Sequence, residues 1–203
     1  MSVPPVSQAP ERARIMEAAY RILATRGGAI SVADVLSEAD LSTRAFYRHF
    51  DSKDGLLLAM FRRDAERVLD ELQTAAADAP DAQAALHGWI HGLLKLTAEP
   101  RRRQRAVVLD SDEVTRAKGH RAERARYEAA HDAALAQILH RGRRDGSFPW
   151  AKPATDAAFI RAALDHAVNG QLAQQSAVGA EEAAQVLTEF ARRALGAERP
   201  EPR

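Results

Sequence analysis

The chain has 203 residues, a formal net charge of +1 and no cysteine. That length suits one large domain or a small domain joined to a larger one. The missing cysteines exclude disulfides, thiolate metal sites and cysteine nucleophiles, and a near-zero net charge leaves any nucleic-acid partner to a local basic patch. Apolar residues make up 46% and charged residues 28%, an ordinary globular balance. The opening "MSVPPVSQAP" has neither the basic nor the apolar region of a signal peptide. No apolar run approaches the roughly 20 residues of a membrane helix. A soluble, cytoplasmic protein with no membrane contact is expected.

Strand-forming alternation is absent, and apolar residues recur at helical spacing almost throughout, which predicts an all-α chain of about nine helices. The first spans 10–26, with Ile15, Ala19, Ile22 and Leu23 on one face and Gly27-Gly28 as its stop. Ser31 caps a short second helix, with Asp34 three residues on as its capping-box partner and Val32, Val35, Leu36 and Ala39 as its apolar face. A turn at Ala39-Asp40-Leu41 leads to a third short helix, capped by Ser42 or Thr43 and ending near Phe50. Ser52 caps a long fourth helix to about residue 77. After the break "ADAPDA", helices are expected near 82–98, 102–112, 118–144, 154–176 and 180–196, punctuated by Pro100, Gly146, Pro149, Pro153 and Gly179.

Two short helices joined by a tight turn behind a longer one form a helix-turn-helix pattern, whose second helix enters the DNA major groove N-terminus first. Ser42, Thr43 and Arg44 occupy that end. Hydroxyls donate or accept, and arginine pairs in bidentate fashion with guanine. Tyr47, Arg48, His49 and Lys53 follow, placed to meet the phosphate backbone. Phe46 and Phe50, four apart, share the opposite face and plug the helix onto its neighbours. A hairpin whose aromatics serve only as core would leave Tyr47 and His49 without a reason.

These residues carry a family resemblance. The stretches "IMEAAYRILATRGG" and "SVADVLSEADLSTRAFYRHFDSKDGLLLAM" resemble the DNA-binding domain of the tetracycline-repressor (TetR) family of transcriptional regulators. The resemblance covers about fifty residues, Arg12 to Met60; the remaining two thirds match in helical plan alone. It implies a dimeric repressor of a double-stranded palindromic DNA operator, released by a small-molecule effector, with no catalytic activity and no cofactor. Ser31, Tyr47, His49 and Lys53 would hold phosphates, and Thr43 and Arg44 would read bases. Three positions depart from the family's pattern. Asp40 replaces the turn glycine and has to adopt a left-handed backbone, which Asp tolerates better than most residues. Val32 removes a polar contact, and Gly55 removes a capping-box glutamate. Up to Leu56, seven Lys/Arg face seven Asp/Glu, so DNA affinity has to come from placement.

The expected organisation is an arm over 1–9, the helix-turn-helix domain over 10–52, a connecting helix over 53–78, an effector-binding and dimerisation domain over 79–198, and a tail over 199–203. The resemblance implies an effector cavity, for which Trp89, Leu93, Tyr127, His131, His166 and Asn169 are the candidate lining. It also implies dimer pairing through the last two helices. There Phe159, Ala163, Ala167 and Gly170 on one, and Val186, Leu187, Phe190 and Ala194 on the other, make small or apolar stripes suited to a four-helix bundle. His87 and His91 have a metal-ligand spacing, but no carboxylate partner is evident, so no metal is expected. The runs "RRRQR" and "RGRR" read as solvated helix ends. A ligand-independent DNA-binding protein and a helical enzyme remain as alternative classes; no glycine-rich phosphate loop or triad-like motif supports the latter.

Overall fold

In the computed structural model residues 11–197 are described; the expected arm at 1–9 and tail at 199–203 lie outside them. Ten helices are present among the described residues: α1 Glu11–Arg26, α2 Val32–Ala39, α3 Thr43–His49, α4 Lys53–Asp78, α5 Ala82–Ala98, α6 Pro100–Leu109, α7 Asp112–Thr115, α8 His120–Asp145, α9 Pro153–Leu172 and α10 Ala180–Ala194. None is long and apolar enough to cross a membrane. The sequence pattern misses α7, whose single turn is too short to show a helical period. It also carries the ninth helix too far: α9 stops at Leu172, and Gln174 turns left-handed (φ 57°) without any glycine to announce it. Pro100 and Pro153 start helices rather than break them, because the first helical position needs no N–H donor.

The chain divides into two compact units. The first runs to Arg63 and includes Gln104–Glu123; the second comprises Asp64–Arg103 and the chain from Arg124 onward.

In the first unit, α1 buries Ile15, Met16, Ala19, Ile22 and Leu23 against Val35 and Leu36 of α2, Phe46 of α3, Phe50, and Leu56, Leu57 and Met60 of α4. Val108, Val114 and Ala117 complete this core. The Tyr20 hydroxyl donates to the Met60 carbonyl at 3.2 Å, and the Arg105 guanidinium lies 3.8 Å from the Tyr20 ring centroid. The α2–α3 turn depends on Asp40 in the left-handed region (φ 52°, ψ 55°), as the sequence requires. Arg14 donates to the Ala39 carbonyl at 2.7 Å, satisfying an acceptor that the helix end leaves open.

In the second unit, α5 is central. Its Leu86, Trp89, Ile90, Leu93 and Leu94 pack with Leu135, Ile138 and Leu139 of α8, Ala157, Ile160 and Leu164 of α9, and Ala184 and Ala191 of α10. Phe148 folds back against α8, and its N–H donates to the Gly142 carbonyl at 2.9 Å. A side chain at Gly142 would collide with the Phe148 ring. The glycine inside "RGRR" is therefore a packing requirement.

Candidate nucleic-acid interface

The helix α3 is seven residues long and has two opposed faces. Ala45 and Phe46 are buried, with Phe50 just beyond the helix. The Phe46 ring centroid lies 5.6 Å from that of Phe50. The opposite face presents Ser42, Thr43, Arg44, Tyr47 and Arg48 to solvent. Tyr47 is 59% exposed although it follows a phenylalanine that is fully buried, its ring resting edge-on against Phe46 at 5.4 Å. Ser42 caps the helix, its hydroxyl accepting the Ala45 N–H at 3.3 Å. Thr43 and Arg44, the expected base readers, thus stand together on the first turn, and Arg44 has no ion-pair partner among the described residues.

Ser31 closes a full capping box at the start of α2. Its hydroxyl accepts the Asp34 N–H at 3.1 Å, and Asp34 accepts the Ser31 N–H at 3.1 Å and the Ser31 hydroxyl proton at 2.5 Å. The hydroxyl bond, then the backbone bond, hold the Asp34 carboxyl below the usual carboxylate range. At α4 the Ser52 hydroxyl accepts the Gly55 N–H at 3.0 Å, and Gly55 has no side chain to return the bond.

The basic residues are less free than the sequence suggests. Arg48 donates to Glu11 at 2.9 Å, and His49 Nε2 lies 3.2 Å from the same carboxylate oxygen. Lys53 Nζ donates to Glu113 Oε1 at 2.6 Å. Neither glutamate is marked by a motif: Glu11 lies 37 residues before Arg48 and Glu113 60 residues after Lys53. Only the fold brings Glu11 to Arg48 and Glu113 to Lys53.

The residues expected to line an effector pocket are partly brought together. Trp89, Leu93 and His131 are buried in the second unit's core. The Trp89 and His131 rings are 5.5 Å apart and edge-on, and Tyr127 lies 4.2 Å from His131. Trp89 Nε1 and His131 Nε2 are buried without a hydrogen-bond partner. Burial pushes the His131 imidazole down to about 4, so it is neutral at physiological pH, and burial pushes the Tyr127 phenol up to about 12. Arg161, bonded to Asp132 at 2.7 Å and to Asp165 at 2.9 Å, borders the group. His166 and Asn169 do not join it; both are exposed on α9, because that helix buries Ala157, Ile160 and Leu164 instead.

The expected dimer stripes have an exposed apolar component. Phe159 (69%), Val186 (62%) and Phe190 (56%) are open to solvent. Ala194 is exposed as well, and Ala163, Ala167, Gly170 and Leu187 are half-buried. His87 and His91 stack at 3.9 Å, and no group of three His, Cys, Asp or Glu suited to a metal occurs among the described residues. Burial, and then the neighbouring His91, lower the His87 pKa. The run at 101–105 is more structured than a solvated helix end: Arg102 donates to Glu71 at 2.6 Å, Arg103 to the Leu172 carbonyl at 3.2 Å and Arg105 to Glu17 at 3.2 Å.

Residues 15–60 match the family model of the bacterial regulatory proteins of the tetR family. No curated protein matches the chain by sequence. Solved structures share its fold. One is the fatty acid degradation regulator FadR of Bacillus halodurans, 17% identical over 95% of this chain and 100% of that one (TM-score 0.76). FadR of Bacillus subtilis in complex with stearoyl-CoA is 14% identical over 90% and 98% (TM-score 0.74). A TetR transcription regulator of Haloarcula marismortui is 20% identical over 90% and 97% (TM-score 0.77). At these identities the likeness is one of fold. The matched segment runs from α1 into α4 and contains the whole helix-turn-helix, so over those residues the chain is similar to the DNA-binding domain of the tetR family of bacterial regulatory proteins.

Proposed function

We propose that this protein is a cytoplasmic homodimeric repressor that binds a palindromic operator through α3 of each protomer and is released by a small-molecule effector. The observation that carries the DNA-binding part is the division of α3: Phe46 is fully buried while Thr43, Arg44 and Tyr47 face outward together. Such a helix is docked on one side and available to a major groove on the other. Thr43 and Arg44 read base edges. Ser31, Ser42, Tyr47, Arg48, His49 and Lys53 hold the phosphates and set the register.

A palindromic site needs two recognition helices roughly 34 Å apart, hence two protomers. The exposed Phe159, Val186 and Phe190 favour α9 and α10 as the pairing surface, since apolar side chains grouped on a surface mark interaction sites. Effector control is supported by the buried Trp89–His131 pair, whose unpartnered nitrogens would gain hydrogen bonds from a ligand. A fold neighbour solved with stearoyl-CoA is consistent with ligand control in this architecture. Release follows if the effector binds the DNA-free conformer more tightly than the DNA-bound one.

Selection of duplexes from a random pool by the full-length protein tests the reading. Enrichment of an inverted repeat with half-sites about one helical turn apart, or a multiple of it, is expected. Failure to enrich any sequence would refute it.

A further inference from the structure

One carboxylate oxygen links two places where operator phosphates are expected. Glu113 Oε1 accepts the Lys53 ammonium at 2.6 Å and the backbone N–H of Ile30 at 3.3 Å. Lys53 is the first residue of α4, and Ile30 precedes Ser31, the N-cap of α2. Both donors therefore sit beside helix N-termini, where free amides and the helix dipole favour an anion. An ammonium and a main-chain amide converging on one oxygen form the donor set that a phosphate oxygen would take.

Glu113 is also held there. Its side chain is 14% exposed against 37% for Lys53. It projects from α7, whose Val114 is fully buried in the same core as Phe46 and Leu56. A carboxylate so placed needs a cation. A lysine at a helix N-terminus, where positive charge is unfavourable, is better tolerated with an anion beside it.

We propose that Glu113 is an internal competitor for operator phosphate. It occupies Lys53 when the protein is off DNA, and its charge opposes the phosphate that would replace it. The proposal rests on the DNA-binding reading above. It has two consequences: removing the charge strengthens DNA binding, and the freed Lys53 then contributes a full counterion release that the paired lysine does not.

The test is fluorescence anisotropy with the full-length chain on a duplex enriched from the random pool, over roughly 50 to 200 mM salt. Glu113→Gln keeps an oxygen for the Ile30 N–H and the same shape. Its thermal unfolding midpoint verifies the fold, and Glu113→Ser repeats the measurement should Gln distort α7. Binding is expected to tighten about three- to tenfold at 0.1 M salt, the size of one partly screened charge interaction. The slope of log affinity against log salt is expected to steepen by up to about 0.9. In a Lys53→Met background the gain should vanish. Unchanged or weaker binding by a folded Glu113→Gln, or a gain that survives intact without Lys53, would overturn the proposal. If the wild-type chain enriches no duplex, the DNA-binding reading itself fails. If it binds and Glu113→Gln leaves the isotherm unmoved, only the competitor role falls.

Discussion

Phe46 and Tyr47 are neighbours in sequence with opposite expected jobs, so substituting each should separate stability from DNA binding. Phe46 is fully buried, with ring centroids of Phe50 at 5.6 Å and Tyr47 at 5.4 Å. Truncating a buried phenylalanine to alanine costs about 3–5 kcal/mol through lost transfer energy and the cavity left behind. That is a large share of the roughly 5–15 kcal/mol that keeps a domain folded. With a urea slope near 2 kcal/mol per molar, a 4 kcal/mol loss moves the midpoint by about 2 M. Tyr47→Phe removes only a hydroxyl from a ring 59% exposed, and its midpoint should stay within about 0.5 kcal/mol of wild type. The same change should weaken DNA about two- to tenfold on every sequence tested, as loss of one phosphate hydrogen bond. Urea unfolding followed by circular dichroism and anisotropy on operator variants give the two readouts. A Phe46→Ala midpoint within about 1 kcal/mol of wild type, or a Tyr47→Phe chain with undiminished DNA affinity, would refute the two-faced account of α3.

Phe190→Glu places a charge on the exposed apolar face of α10 and should convert the proposed dimer to a monomer in sedimentation velocity; a dimeric mass in both wild type and variant would remove α10 from the proposed interface. His131 makes stability depend on pH. Its folded pKa of about 4 lies below the 6.5 of the free side chain, so the unfolded chain binds the extra proton. Its contribution is complete above pH 6.5 and is lost as pH falls towards 4, by on the order of 3 kcal/mol. His131→Leu should flatten that part of the urea-midpoint profile; an unaltered profile would mean His131 does not titrate as its burial implies.

What the sequence discloses here is local. The caps at Ser31 and Ser42, the Gly27-Gly28 stop, the apolar spacing of α1 and α2 and the left-handed turn at Asp40 each depend on residues a few positions apart, which is why the helix-turn-helix can be read off the chain. The bounds of α5 follow from the same kind of signal. Glu11 and Glu113 are invisible by this route, since their partners are 37 and 60 residues away and surface glutamates are common. Polarity also misplaces His166 and Asn169. A mixed helix such as α9 has more than one plausible inner face, and only packing against α5 selects the one carrying Ile160 and Leu164. Arg102, Arg103 and Arg105 likewise look like a solvated run, until the fold supplies Glu71, the Leu172 carbonyl and Glu17 as acceptors.

The most direct test of the central claim, that α3 reads a major groove through Arg44, is methylation interference at guanine N7 on the enriched duplex. Two dyad-related guanines about 34 Å apart, or a multiple of that, are expected, and methylation of either should block the wild-type protein. The same lesions should leave Arg44→Ala binding unchanged. Absence of any interfering guanine, or an identical pattern with Arg44→Ala, would contradict it.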